Sequence, residues 1–169
     1  MDKKFISSPH DISVGADYVM PKVDNTDRKI IDILIKDARI SYSQLADEVG
    51  ISRVRVKERV VELQKKGVIE KFTIQIPARF VGKPLPVFFN VGVRPKYLEE
   101  AALKITEHPD IVIVYQMSGP DALHIHGFFR DIEEVSRFVN EYLSEIEGIT
   151  TVSAEFLLKR YKADRSLMV

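Results

Sequence analysis

Apolar residues in the first third of the chain recur every three or four positions, which is the period of an amphipathic helix. The pattern predicts three successive helices: one over residues 24–37, one that begins after Ser41, and one that begins after Ser52. Ser41 and Gln44 have the spacing of a capping box, and Gly50 is expected to end the second helix. The positions predicted to face inward are Ile30, Ile31, Leu34 and Ile35, then Leu45, Ala46 and Val49, then Val56, Val60 and Leu63.

From residue 69 onward the pattern changes to the alternation of strands. Residues 69–76 (IEKFTIQI) predict a strand, and residues 77–86 (PARFVGKPLP) predict a stiff linker because they contain three prolines and a glycine. The rest of the chain predicts the order strand, helix, strand, strand, helix, strand. The second of these helices, capped by Asp131, is predicted to turn Val135, Val139, Tyr142 and Ile146 inward.

The two halves of this second region resemble each other at an offset of 38 residues. A repeated strand-helix-strand unit predicts a ferredoxin-like βαββαβ domain, whose last strand is expected to continue through Leu158. The matching pairs are Glu107 with Glu145, Ile111 with Ile149, and Val114 with Val152.

The predicted fold class is α+β, with two domains. A winged-type helix-turn-helix unit of three helices is expected over residues 24–68, and the ferredoxin-like domain is expected over residues 87–160. Residues 69–86 join them as a strand and a Pro-rich linker. Residues 1–23 show no sustained period and predict a loose N-terminal arm, and residues 161–169 predict a C-terminal tail.

The charge pattern of the second and third helices indicates their function. Two short helices joined by a turn of three or four residues with a glycine are typical of a helix-turn-helix, whose second helix lies in a DNA major groove. Residues 52–66 carry six cations and two acids, although the whole chain has no net charge. The alternative is a solvated charged helix in an all-helical domain. The cap, the glycine and the apolar positions fit the motif together, which favours DNA.

The outer face of the third helix predicts individual DNA contacts. Arg53 or Arg55 is expected to pair with a guanine edge, and Val54 is available for a thymine methyl group. Arg59, one turn further on, is expected either to stabilise the fold or to contact a DNA phosphate. The residues predicted to bind double-stranded DNA are Ser41, Ser43, Ser52, Arg53, Val54, Arg55, Lys57 and Arg59.

The ferredoxin-like domain is predicted to have an open sheet face, because two helices cover only the other face. Such a face usually finds a partner, and a two-fold dimer is the commonest solution. A dimer also suits a helix-turn-helix protein, which reads two half-sites. The residues predicted at the dimer interface are Phe88, Asn90, His124, His126, Thr151 and Ser153, with Gly92 on the same face.

Composition restricts the remaining chemistry. The chain has no cysteine, which excludes disulfides, thiol catalysis and Cys-ligated zinc. No apolar run approaches the roughly 18 residues of a membrane span. The first residues lack the apolar core of a signal peptide, so a cytoplasmic protein without membrane contact is predicted.

An enzyme is not predicted, and neither are a cofactor or a metal site. The sequence has no phosphate-binding loop, nucleophile elbow or HExxH motif. His124 and His126 lie two apart on one predicted strand, a spacing that can ligate a metal or move protons. Because no third ligand is near in sequence, satisfied polar residues at an interface are the preferred interpretation.

The chain resembles the leucine-responsive and asparagine-regulator (Lrp/AsnC) family of bacterial and archaeal transcription regulators over about residues 24–160. The resemblance implies a sequence-specific DNA-binding regulator that responds to an amino acid or a related small molecule. Two alternatives are an enzyme of the haem-biosynthesis decarboxylases that share this architecture, and an effector-independent architectural DNA-binding protein. The resemblance rests on DRKIIDILIKDARISYSQLADEVGIS, on Val56, Arg59, Val60 and Leu63, on KKGVI, and on the βαββαβ region.

In that family, open sheet faces pair into dimers, which often assemble into octamers. Small amino acids bind between dimers near the turn that joins the second and third strands. Family members usually carry Gly, two residues and Asp at this turn, whereas this chain has Ala122 at the aspartate position. Asp121 takes the aspartate's role if the turn tightens by one residue; otherwise the site binds a different ligand or none. The effector residues implied by the resemblance are Ser118, Gly119, Pro120, Asp121 and Ala122.

Overall fold

The structure is a computed structural model that describes residues 21–119 and 122–161. The chain divides into two compact units, one of which ends at Ile74 while the other begins at Gln75. The predicted N-terminal arm lies almost entirely outside the described residues, and so does the predicted C-terminal tail apart from Tyr161.

The first unit is built from three helices, each begun by a polar side chain. Ser41 and Gln44 form the predicted capping box: each side chain accepts a hydrogen bond from the other residue's amide, both at 3.2 Å. Gly50 follows the second helix with a φ of 79°, a left-handed conformation that favours glycine. The helices are α1 (Asn25–Lys36) after Asp24, α2 (Tyr42–Val49) after Ser41, and α3 (Arg53–Lys65) after Ser52.

The predicted apolar stripes form the core of this unit, with one exception. Ile35 is predicted to face inward but is 37% exposed. It follows Ile30 by five residues, which places it roughly 140° around the helix from that buried side chain. The residues buried in this core are Ile30, Ile31, Leu45, Ala46, Val56, Val60 and Leu63.

The strand predicted for residues 69–76 is absent from the described chain, so this prediction is wrong. A strand needs a neighbour to pair with its backbone amides and carbonyls. The described strands form a single four-stranded sheet that does not include this segment. Its apolar side chains are exposed, at 80% for Ile74 and 59% for Ile76. The alternating segment therefore has no strand to pair with among the described residues.

The second unit has the predicted βαββαβ order, with helices on one face of an antiparallel sheet. Its elements are β1 (Leu85–Val93), α4 (Leu98–Thr106), β2 (Ile111–Gln116), β3 (Leu123–Phe129), α5 (Ile132–Arg137) and β4 (Ile149–Phe156). The strands lie side by side in the order β2-β3-β1-β4. The largest fully buried side chains in its core are Phe89, Phe129, Ile105, Leu123, Ile125 and Leu143.

The segment after α5 differs from the regular helix that the sequence predicts. α5 passes into a π-helical turn at Phe138–Tyr142, which is wider than an α-helical turn. The wider turn places Phe138 and Leu143, five residues apart, in the core. Val139 and Tyr142, which are predicted to face inward, are therefore only half-buried.

β4 is shorter than predicted. It ends at Phe156, and Leu158, which is expected to continue the alternation, is 95% exposed. β4 pairs only with β1 among the described strands, and the pairing ends opposite Val87. The residue that precedes Val87 in β1 is Pro86, which has no N–H to extend the hydrogen-bonding between the two strands.

Candidate functional site

The exposed side of α3 carries most of the predicted DNA contacts. Arg53, Arg55 and Lys57 are exposed, and Val54 is 66% exposed. Val54 lies opposite the buried stripe of α3, which consists of Val56, Val60 and Leu63. Arg55 and Lys57 lie to either side of Val54, and Arg53 is exposed because it is the first residue of the helix. The partial positive charge at the helix N-terminus adds to that of the three cations. The first two turns of α3 therefore present a cationic surface with one apolar side chain.

Arg59 lies on the same helix but its guanidinium contacts α1. Its Nη1 is 2.8 Å from Asp24 Oδ2 and 2.7 Å from Asp27 Oδ1, and Asp27 is only 7% exposed. Hydrogen bonds to these carboxylates raise the pKa of Arg59. The pKa of Asp24 is lowered, first by the Asp27 amide that donates to it and then by Arg59. This arrangement ties α3 to the N-terminus of α1.

The two predicted serines of α2 differ in their surroundings. Ser41 is part of the cap, and its hydroxyl donates to Gln44 Oε1 at 2.7 Å. Ser43, in the first turn of α2, is exposed. Ser52 caps α3 by accepting from the Arg55 amide at 3.3 Å.

One acidic residue of α3 was missing from the predicted site. Glu58 Oε2 lies 3.2 Å from Nη1 of Arg55, and both side chains are more than half exposed. Glu58 is one of the two acids among the six cations of residues 52–66. Its spacing of three residues from Arg55 is the signal that predicts such a pair on a helix.

The predicted dimerisation residues lie together on the sheet face away from the helices. Phe88 of β1 pairs with His126 of β3, and Asn90 pairs with His124. The Phe88 and His126 rings are 4.6 Å apart between centroids, and His124 Nδ1 is 2.6 Å from Asn90 Oδ1. On the other side of β1, Ser153 is opposite Asn90, and Thr151 is opposite Gly92.

Tyr115, which is not among the predicted interface residues, also lies on this face. Simple alternation from Ile111, which pairs with Gly127 on the helix side, would turn residue 115 toward the helices. A register shift between Ile111 and Ile113 reverses the alternation, so that Tyr115 pairs with His124. Its ring centroid is 6.0 Å from that of His126. A register shift of this kind leaves no clear signal in a single sequence.

The candidate effector turn is described only in part. Ser118 and Gly119 are exposed, and Ala122 is half-buried. The Met117 amide donates to the Ala122 carbonyl at 2.9 Å, which closes the turn. Pro120 and Asp121, which are also predicted in this site, lie outside the described residues.

A cluster of charges near the start of β1 was also not predicted. Lys83 pairs with Asp110, which is 8% exposed, and its Nζ lies 3.6 Å from Glu134 Oε1. The Arg130 amide, which donates to Glu134, is the main cause of a lowered pKa at that carboxyl. Within the ranges that the structure describes, no group of three or more His, Asp or Glu side chains is arranged to hold a metal ion.

Comparison with known proteins agrees with this geometry. Residues 23–70 match the winged helix-turn-helix DNA-binding profile, and residues 86–167 match the Lrp/AsnC ligand binding domain. The HTH-type transcriptional regulator LrpA of Pyrococcus abyssi is 34% identical over 140 residues, which cover 83% of this chain and 99% of the relative.

Solved structures show the same fold. A transcriptional regulator from Neisseria meningitidis, crystallised as a complex with L-Met, is 25% identical with a TM-score of 0.79, and the match covers 86% of this chain and 96% of that chain. The structure of E. coli AsnC is 22% identical with a TM-score of 0.80, and the match covers 90% and 100% of the two chains.

The three-helix unit and the βαββαβ unit define a DNA-binding regulator with a ligand-binding domain. The chain belongs to the Lrp/AsnC family and is a helix-turn-helix transcription regulator. Its relatives are regulators rather than enzymes, which sets aside the decarboxylase alternative. Among the described helices, none has the length and apolar character needed to cross a membrane.

Proposed function

We propose that this regulator reads DNA with the first two turns of α3. The observation that carries the proposal is the exposure of Arg53, Val54, Arg55 and Lys57 at the N-terminal end of α3. Guanidinium groups suit the O6 and N7 acceptors of guanine, and a valine methyl group suits the methyl group of thymine. We expect phosphate contacts from three serines near the starts of α2 and α3, namely Ser41, Ser43 and Ser52.

Binding to the DNA upstream of its own gene, measured over a series of salt concentrations, tests this proposal. We expect affinity to fall steeply as salt rises, because each phosphate contact releases counterions. We also expect that DNA to be bound more tightly than a random duplex of equal length. Equal affinity for both duplexes at every salt concentration would contradict sequence-specific reading and would favour an architectural DNA-binding role.

The open sheet face is proposed as the surface that joins two copies of the chain. Aromatic rings and the hydrogen-bonded pair of His124 and Asn90 give this face both apolar area and fixed polar groups. A two-fold dimer would supply two copies of α3 for two half-sites. Assembly of such dimers into octamers or another higher oligomer belongs to the same proposal, and so does a cytoplasmic location beside the chromosome.

An amino acid is proposed as the effector, bound at the turn of residues 118–122. The complex of the Neisseria regulator with L-Met supports this class of ligand. Exposed backbone amides at Ser118 and Gly119 suit a carboxylate, and Asp121 would suit an ammonium group. Ala122 in place of the family's aspartate is the feature expected to alter ligand choice.

Thermal-shift measurements with each amino acid, L-Met included, test the effector proposal. A stabilising ligand raises the melting temperature according to its concentration relative to Kd. We expect a shift with at least one amino acid, and we expect Asp121→Ala to remove it. If no amino acid gives a shift at millimolar concentration, the amino-acid effector is wrong, and regulation without an effector is favoured.

A further inference from the structure

The centre of the exposed face of α3 is occupied by an acid. On an α-helix each residue advances by roughly 100°, so residue 58 lies about 160° from residues 56 and 60. Val56 and Val60 are fully buried, so Glu58 points almost directly away from the core. A shallow depression on this side of α3 is lined by Val54, Lys57, Glu58, Val61, Glu62 and Lys65.

An acid at this place opposes general affinity for DNA, because it repels phosphates. Nor does stability of the fold explain it. The Arg55 and Glu58 side chains are 74% and 55% exposed, and exposed ion pairs contribute little to stability. A benefit that offsets the repulsion is available in the major groove, where one base offers an amino donor to a carboxylate without the N7 acceptor that lies beside the amino group of adenine.

That base is cytosine. Its N4 amino group is the donor of a G·C pair in the major groove, and carboxylates accept from it, whereas the guanine offers only acceptors. Glu58 Oε2 accepts from Arg55 Nη1, which leaves Oε1 as a second acceptor for a base. The same pair holds the Arg55 guanidinium at a fixed place beside Glu58, with further N–H donors for guanine.

We propose that Glu58 is a specificity-determining residue, which selects a cytosine by accepting from its N4 amino group and orients Arg55 toward a guanine beside it. The inference rests on the proposed reading of DNA by α3. It assigns to the bound site a cytosine that faces Glu58, which the cations alone would not select, since they contact guanine or phosphate rather than a cytosine amino group.

Glu58→Gln is the discriminating variant, because it keeps the shape of the side chain and removes its charge. An amide carries both a donor and an acceptor, which is the pattern that matches adenine. We therefore expect the cytosine preference to fall by roughly 5- to 100-fold and adenine to become acceptable at that position. Affinity for random DNA should rise a few-fold, because a repulsive charge is gone.

Glu62→Gln is the matched control. Glu62 is also exposed, lies on the same helix and pairs with a cation three residues away, since its Oε1 is 2.9 Å from Lys65 Nζ. It lies about one turn beyond Glu58, further from the N-terminal end of α3 that is proposed to read the bases. Its loss should raise affinity for random DNA without changing the base preference.

The experiment selects bound duplexes from a random-sequence pool with the full wild-type chain and with each variant. Sequencing of the bound DNA then gives the base preference at every position. A cytosine preference that is present in wild type and in Glu62→Gln, and that is lost in Glu58→Gln, supports the proposal. Unchanged melting temperatures show that the exposed substitutions leave the fold intact.

Two results overturn the proposal, and only the second also contradicts the proposed reading of DNA by α3. If wild type selects a consensus and Glu58→Gln selects the same one with the same strength, Glu58 does not determine specificity, while the proposed function stands. If wild type selects no consensus above random DNA, sequence-specific reading by α3 is wrong and the role of Glu58 falls with it.

Discussion

Arg55 and Arg59 carry the same charge on neighbouring turns of α3, but they differ in what they contact. Arg59 Nη1 lies within 2.8 Å of two carboxylates of the α1 N-terminus, and one of these belongs to the buried Asp27. Arg55 pairs with the exposed Glu58 at 3.2 Å, and its side chain is 74% exposed. Charge alone therefore does not identify a DNA contact, whereas exposure and partners distinguish a bracing arginine from an available one.

Arg55→Ala should weaken specific binding and leave the fold intact. Loss of a bidentate base contact costs about 1–3 kcal/mol and relaxes the preference at one position of the site. The melting temperature should stay within about a degree, because exposed substitutions of this kind change stability little. Lys29→Ala, which removes an exposed cation from α1, is the control for general charge loss. A gel shift in which Arg55→Ala matches wild type would show that this helix face is wrongly placed on DNA.

His108 is expected to make the fold sensitive to acid. Its ring packs against Phe138 and Tyr142, both at 4.7 Å between centroids. Burial lowers the pKa of His108 below its ordinary value of 6.5, while Asp110 and Glu134 oppose this shift and Lys83 adds to it. The unfolded chain then takes up a proton near pH 6.5 that the folded chain does not. Stability should therefore fall as the pH drops from about 6.5 toward the lowered pKa.

His108→Gln is the variant that tests this pH dependence. It removes the titrating ring, so its loss of unfolding free energy between about pH 7 and pH 5 should be smaller than that of wild type. Urea unfolding of both proteins at the two pH values measures the difference. Equal losses would assign the acid sensitivity to other groups, such as the carboxylates that pair with Lys83.

At the scale of elements, the sequence correctly predicts the features that depend on residues close together in the chain. The capping box of Ser41 and Gln44 and the stripe of Val56, Val60 and Leu63 are local patterns, and the helices that they predict are present. Phe88 and His126 are predicted to share the open face, because the alternation of both strands is regular, and they lie opposite each other on β1 and β3.

Features that depend on contacts distant in sequence escaped prediction. The register shift after Ile111 turns Tyr115 to the open face, and the π-helical turn moves burial to Phe138 and Leu143. The segment 69–76 alternates like a strand but pairs with none of the strands that the structure describes. In each case the local pattern allows more than one arrangement, and tertiary packing or the presence of a partner decides between them.

Phe89→Ala should destabilise the second unit itself. Phe89 is fully buried, and its ring is 5.7 Å from that of Phe129 and 5.1 Å from that of Phe138. Truncation of a buried phenylalanine costs about 3–5 kcal/mol, because it removes apolar contact and leaves a cavity. Urea unfolding followed by circular dichroism measures the loss. A change below about 1 kcal/mol would mean that the sheet does not pack on its helices through this ring.

At the scale of the whole molecule, both units favour a two-fold dimer, but for different physical reasons. The chain has no net charge, so its attraction to DNA depends on one helix, and a single helix reads only a short site. A second copy doubles the site that is read. The open sheet face is the surface proposed for that copy, where Phe88 and Tyr115 add apolar area beside His124 and His126.

Phe88→Asp should separate the dimer without unfolding the protomer. Phe88 lies on the same strand as Phe89 but points to the opposite face, where it is half-buried among His124, His126 and Glu155 rather than enclosed in the core. A charge placed there and covered by a second copy would be buried without a partner, which is strongly unfavourable. In an uncovered face the same charge is solvated and harmless.

Sedimentation velocity at micromolar concentration measures this difference. Wild type should sediment as a dimer or a multiple of it, and Phe88→Asp as a monomer that keeps the circular dichroism of a folded chain. Ile132→Asp is the control, because Ile132 is 65% exposed at the start of α5, away from the open face. It should leave the dimer in place. A folded wild-type monomer at this concentration would show that the open face does not join two copies, and the half-sites of the DNA would then have to be read by separate molecules.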